Sequence, residues 1–218
     1  MKKIFLLIAT ISVAIICKSQ LLPTLPKDWE RVYIKDIGNF DLPPTMEVQK
    51  GKYKKYVDSY RNLIGFETTK LTAQQKGLNE LSLSGHEKYA RVMIETAFGN
   101  KGDYEKLNFN TTNHSHADIS KLNSTFKQQI QQGFQGTGLK LIEWYPVTVK
   151  KINGVSCFHV SYKRQLQNNP IVLVNIYYFH NNDRMYALTL SYRVSESDYW
   201  KSDFEKILKS FRITDVIR

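Results

Sequence analysis

Residues 139–163 read LKLIEWYPVTVKKINGVSCFHVSYK, and residues 171–193 read IVLVNIYYFHNNDRMYALTLSYR. Side chains alternate across a strand, so apolar residues recurring at every second position mark a half-buried β-strand. Leu139 to Ile152 reads as one strand, broken or bulged at Pro146, which has no N–H to give to a ladder. Asn153-Gly154 follows, and both residue types tolerate the positive φ that a two-residue type I′ hairpin turn demands. Val155 to Lys163 returns, with Phe158, Val160 and Tyr162 on one side. Ile171 to His180 is a further strand rich in branched and aromatic residues, and Asn181-Asn182-Asp183 turns it into Met185 to Arg193. In that last strand Tyr186, Leu188, Leu190 and Tyr192 alternate with Ala187, Thr189 and Ser191. Tyr199, Trp200, Phe204, Ile207, Leu208 and Phe211 then recur at helical spacing, predicting a helix over Glu196–Phe211 that covers the sheet it follows.

Strand, Asn-Gly hairpin, two long antiparallel strands and a closing aromatic helix, taken in that order over residues 139–212, resemble the PsbP-like superfamily. That family is named for an extrinsic subunit of photosystem II, and its relatives include small exported bacterial proteins. The resemblance implies an α+β fold, an α/β/α sandwich around a central, mainly antiparallel sheet of about six to seven strands. It also implies an accessory or binding role rather than catalysis, and it supplies no site residues.

Upstream the pattern is shorter-ranged. Val32 and Ile34, then Phe40 and Leu42, predict two short strands about Gly38, the second closed by Pro43-Pro44. Tyr53, Tyr56, Val57, Tyr60, Leu63 and Ile64 share one helical stripe, predicting a helix over Lys52–Ile64 ahead of Gly65. Phe66–Leu71 and Thr72–Leu78 are weaker strand candidates. Ala90, Val92 and Ile94 oppose Tyr89, Met93 and Ala97, which predicts a central strand covered on both faces. Ser115 and Asp118 have the spacing of a capping box ahead of the stripe Ile119, Leu122, Phe126, Ile130 and Phe134, so a helix is expected over His116–Gln132.

The start of the chain bears on compartment. Lys2 and Lys3 precede a 13-residue apolar run, Ile4 to Ile16, broken only by Thr10 and Ser12. Crossing a bilayer takes roughly 20 apolar residues, whereas the apolar core of a secretory signal has roughly 7–15. Cys17 and Ser19 supply the small residues that signal cleavage needs, which makes 1–19 a signal peptide and Gln20 the mature start. The expectation is export to the periplasm or medium, with a lipid anchor at Cys17 as the alternative and no transmembrane segment after cleavage. Residues 20–218 are then expected to form one domain. Loss of Lys2, Lys3 and Lys18, with no acid, lowers the formal charge from +11 to +8. A moderately basic exported surface suits an envelope protein, anionic lipid or polysaccharide as partner, or merely keeps the chain soluble. Motifs for nucleic-acid recognition do not occur. Only Cys157 outlasts cleavage, so no intramolecular disulfide can form and the core rests on apolar burial.

Few residues suggest chemistry. His114, His116 and Asp118 alternate, and in an extended segment two imidazoles and a carboxylate at that spacing can converge on zinc or copper. If Ser115 caps the following helix, His116 and Asp118 fall in its first turn and that geometry is lost. A metal-dependent enzyme or metal-binding protein built on these three is the alternative to a non-catalytic exported binding module. Lys50, Lys52, Lys54 and Lys55 crowd the start of the Lys52–Ile64 helix, where positive charge opposes the helix dipole. They are a binding patch or a solvated face. His86-Glu87 lacks the second histidine of a zinc-protease helix, since position 90 is Ala90. Cys157 sits mid-strand, the setting of a buried inert thiol, with His159 on its face. Of thirteen tyrosines, Tyr145, Tyr162, Tyr177, Tyr178, Tyr186 and Tyr192 lie in the sheet region, as packing or as a face for sugar or peptide.

Overall fold

The computed structural model describes residues 24–55, 71–107 and 116–214. The expected signal peptide 1–19, most of the predicted Lys52–Ile64 helix and His114 lie outside the described residues.

Seven strands form one antiparallel sheet. In chain order they are β3 (Met46–Val48), β4 (Leu71–Gln75), β5 (Ala90–Phe98), β6 (Leu139–Ile152), β7 (Val155–Leu166), β8 (Val172–His180) and β9 (Arg184–Arg193). They lie side by side as β3-β4-β5-β9-β8-β7-β6. A second sheet of three strands sets β2 (Gly38–Leu42) between β1 (Glu30–Ile34) and β10 (Arg212–Ile213). Two helices cover the large sheet, α1 (His116–Gly133) and α2 (Ser197–Ser210). The expected α+β sandwich is therefore present, and its central sheet, expected to have about six to seven strands, has seven, all antiparallel.

The β6–β7 hairpin follows its sequence closely. Ile152 pairs with Val155, and Asn153 and Gly154 sit at φ 50° and 85°, as a type I′ turn requires. The register shifts between Tyr145 and Thr148, at Pro146, and again between Leu141 and Glu143. Each shift is a bulge that adds local twist.

Strand alternation splits the core in two. Val160, Tyr162, Val174, Ile176 and Ala187 pack on one face of the sheet with Leu122, Phe126, Ile130 and Phe134 of α1. Phe126 stacks on Tyr178 at 5.0 Å, and Trp144 stacks on Tyr162 at 6.1 Å. The other face carries Tyr177, Phe179, Tyr186, Leu188, Leu190 and Tyr192 against Trp200, Phe204 and Ile207 of α2 and Phe40 and Leu42 of the small sheet. Glu196 joins three elements there, accepting from the backbone N–H of Tyr89 at 2.9 Å, Arg193 Nη1 at 2.9 Å and Trp200 Nε1 at 3.2 Å.

Four expectations needed adjustment. Glu196 belongs to a 3-10 turn, Val194–Glu196, and α2 begins at Ser197. Strand β4 starts at Leu71, straddling the two candidate segments. Strands β3 and β10, too short to show a period, were not expected. Strand β5 is fully covered on one face only: Ala90, Val92 and Ile94 are buried, whereas on the opposite face Met93 and Ala97 are half-buried and Glu95 is exposed. Among the described residues no β5 side chain joins the core beneath α1.

Candidate functional site

Helix α2 lies over β9 and β2 and leaves the same face of β8, β7 and β6 partly open. Antiparallel register fixes what that face presents. His159 of β7 pairs with Tyr177 of β8, Ser161 with Asn175, Thr148 of β6 with His159, and Lys150 with Cys157. Between this face and α2 runs a cleft of about 350 Å³. Leu173, Tyr177, Leu190 and Tyr192 line its sheet side, and Phe204 and Leu208 line its helix side. Lys150, Lys201 and Glu205 also line it, and all three are exposed. Lys150 Nζ stands 5.8 Å from the centre of the Tyr177 ring, a cation–π contact.

The polar groups beside the cleft are already committed. His159 stacks on Tyr177 at 4.7 Å, shares a 2.9 Å bond between Nε2 and Asn175 Oδ1, and places Nδ1 3.3 Å from Thr148 Oγ1. With Asn175 Oδ1 as acceptor, Nε2 carries the proton and Nδ1 accepts from the threonine hydroxyl. Burial holds the imidazole below its ordinary value, assisted by the charge of Lys150, while the Asn175 bond pulls the other way. The ring is a neutral part of the wall. Burial likewise raises the Tyr177 phenol above its usual range.

Cys157 is wholly buried in the core beside α2. Burial pushes its thiol up to about 12, and Sγ donates to the Lys150 carbonyl at 3.5 Å. Nucleophilic cysteines need the thiolate, an adjacent base and access. Cys157 is protonated and inaccessible, and its neighbour His159 is bonded to Asn175 and Thr148. The pair shares a face, as expected, without forming a catalytic unit.

The lysines at 50–55 stand at the other end of the sheet order, beside β3 and β4. All four are exposed, and residues 51–55 are helical. Their turn is fixed from below: the Lys50 N–H donates to Asn79 Oδ1 at 2.8 Å, and Arg91 Nη2 donates to the Tyr53 hydroxyl at 3.1 Å. Asn79 in turn accepts from Gln74 Nε2 at 3.3 Å, donates through its N–H to Glu47 at 2.8 Å and through Nδ2 to the Val48 carbonyl at 2.9 Å.

Of the metal candidates, His114 falls outside the described residues, and 116 and 118 lie in the first turn of α1 rather than in an extended segment. Among the described residues no three histidine, cysteine or carboxylate side chains gather as a metal site would require. Of the tyrosines expected in the sheet, Tyr162, Tyr178 and Tyr186 serve the two cores, and Tyr177 and Tyr192, also buried in the core beside α2, line the cleft. Lys150, Asn175 and Lys201 were missed as site residues. The available signal was polar residues, Asn175 and His159, at positions of β8 and β7 that face a core.

One antiparallel seven-stranded sheet between two helical layers, with a small second sheet, makes this a PsbP-like α+β fold. In particular, the chain is similar to the solution structure of cyanobacterial PsbP (CyanoP) from Synechocystis sp. PCC 6803. The TM-score is 0.51 at 14% identity, over 85% of this chain and 92% of that one. At that identity the likeness establishes the fold alone. A crystal structure of a Pseudomonas aeruginosa protein of unknown function, PA94, also aligns, with a TM-score of 0.34 at 8% identity over 84% of this chain and 96% of that one. No family model and no curated protein matches the chain. Among the described residues no helix is long and apolar enough to cross a membrane.

Proposed function

We propose that this protein is an exported accessory module of the cell envelope that acts by binding, and that the cleft beside α2 is where it holds its partner. The observation that carries the reading is the contrast within one face. The groups nearest to a catalytic pair, Cys157 and His159, are respectively protonated and buried, and tied into the wall, while the neighbouring cleft offers aromatic and aliphatic surface with two lysines against one acid, Glu205. A cleft on the order of 300 Å³ suits one anchoring group rather than a whole substrate. The occupant this chemistry favours is an envelope protein segment with an apolar anchor side chain flanked by acids, which Lys150 and Lys201 would meet.

The test is a pull-down from the envelope fraction with the mature chain from Gln20. Lys150→Glu with Lys201→Glu reverses two exposed charges without touching the core. Loss of specific partners with that variant supports the reading, and equal recovery overturns it. N-terminal sequencing of native protein from the same fraction checks export: Gln20 is expected, and a chain that still begins at Met1 in the cytosol contradicts it.

A further inference from the structure

Beside the lysine turn stands an apolar outcrop. Leu81 is 52% and Leu83 89% exposed. Leu81 is also held at φ 56°, in the left-handed region that a leucine side chain disfavours. The turn is nonetheless well built. The Leu81 N–H donates to the Leu78 carbonyl at 2.9 Å, the Ser82 N–H to the Gly77 carbonyl at 3.0 Å, and the Gly85 N–H to the Ser82 carbonyl at 3.1 Å. Gln75 Nε2 clamps the Gly85 carbonyl at 2.8 Å from within the sheet, and Leu78 is buried beneath. A rigid turn thus accepts backbone strain and keeps two leucines in water. Strain and exposed apolar surface in one place point to function.

Asn79 links the leucines to the lysines. It lies two residues before Leu81, its side chain accepts from the Lys50 N–H at 2.8 Å, and its carbonyl oxygen lies 3.8 Å from where a Cβ on Gly51 would stand. Asn79 thus holds the turn of Lys50, Lys52, Lys54 and Lys55 against the loop that carries Leu81 and Leu83. We infer that this surface docks on an anionic lipid bilayer, the leucines entering the interfacial region and the lysines meeting the headgroups. A bilayer accepts projecting aliphatic side chains without a matching pocket, and its negative surface draws clustered lysines. The exposed acids of that loop are Glu80 and Glu87, fewer than the four lysines. Acidic protein also attracts lysines, but would need a complementary groove for leucines as exposed as these. The inference stands independently of the cleft, because the assay below contains no protein partner.

The experiment is sedimentation of the mature chain with phosphatidylcholine vesicles, plain or containing phosphatidylglycerol, at low and high salt. Binding is expected to the anionic vesicles only and to weaken with salt. Lys52→Gln with Lys54→Gln should weaken it on the order of thirtyfold, at about fivefold per lysine near the surface. Lys121→Gln with Lys127→Gln, exposed on α1 and carrying the same charge change, should have little effect. Leu83→Ser should cost roughly tenfold, for loss of one partly buried leucine, and Leu81→Gly should weaken binding while relieving the strain. Thermal melts should show both leucine variants at least as stable as the parent. Absence of binding to anionic vesicles, equal binding to plain ones, or leucine variants that bind like the parent would each overturn the inference, the last reducing the contact to the charge of the lysines alone.

Discussion

Asn153 does two separable things. Its φ of 50° forms the first half of the β6–β7 turn, and its Nδ2 donates at 2.6 Å to the carbonyl of Phe211, where α2 gives way to β10. Asn153→Gly keeps the left-handed backbone and loses the tie. Such a bond is worth about 0.5–1.5 kcal/mol net. The Phe211 carbonyl keeps a second donor, Arg212 Nη1 at 3.1 Å, so no buried acceptor is orphaned and a cost of about 1 kcal/mol is expected. Asn153→Ala loses the tie and forces an alanine into the left-handed region, adding at least about 1 kcal/mol. A total near 2 kcal/mol corresponds to a fall of roughly 4–8 °C in Tm for a chain of this size. Urea and thermal melts followed by tryptophan fluorescence give the order parent, then glycine, then alanine. An alanine variant as stable as the glycine one would refute the turn assignment, and a glycine variant equal to the parent would refute the tie.

Cys157 in the native protein should resist a thiol reagent at neutral pH and react fully once urea exposes it; fast native labelling would mean that the core beside α2 opens. His159 and His180 are both held below the ordinary 6.5 by burial. The unfolded chain therefore binds protons more readily than the fold, so their contribution is intact above about 6.5 and is lost as pH falls through the lower native values. Stability should decline over that window, and His159→Gln should flatten the decline; a profile level from 7 to 5 by urea titration would contradict the assignment. Titration calorimetry of the mature chain with zinc and copper should give no heat at micromolar metal, whereas saturable heat lost on changing His114 and His116 to alanine would revive the metal reading.

The fold was legible wherever its cause is local. Alternation from Leu139 to Arg193, Asn153-Gly154 and the Trp200–Phe211 stripe each specify an element from neighbours in sequence. What escaped depends on distance along the chain. Strand β10 pairs Arg212 with Asn39 and Ile213 with Gly38, and two residues carry no period. Gly38 held a trace of that contact, since a Cβ there would collide with the Arg212 carbonyl. Strand β5 reads as doubly covered because Met93 and Ala97 are apolar, yet the α1 core is built over the β6–β9 half of the sheet. The cleft was illegible for a related reason. Lys150, Asn175, Tyr192 and Lys201 come from four elements, and only the register and the seat of α2 bring them together. The sheet tyrosines were legible as packing, since burial takes Tyr162, Tyr178 and Tyr186 into the cores.

The binding role of the α2 cleft is most directly tested by a photoreactive side chain placed at Lys201, with the same group at Lys121 on α1 as reference, each irradiated in the envelope fraction. A discrete protein adduct from position 201, suppressed by Lys150→Glu and lacking from position 121, is the predicted result. The same adducts from both positions, or none from 201, would contradict it.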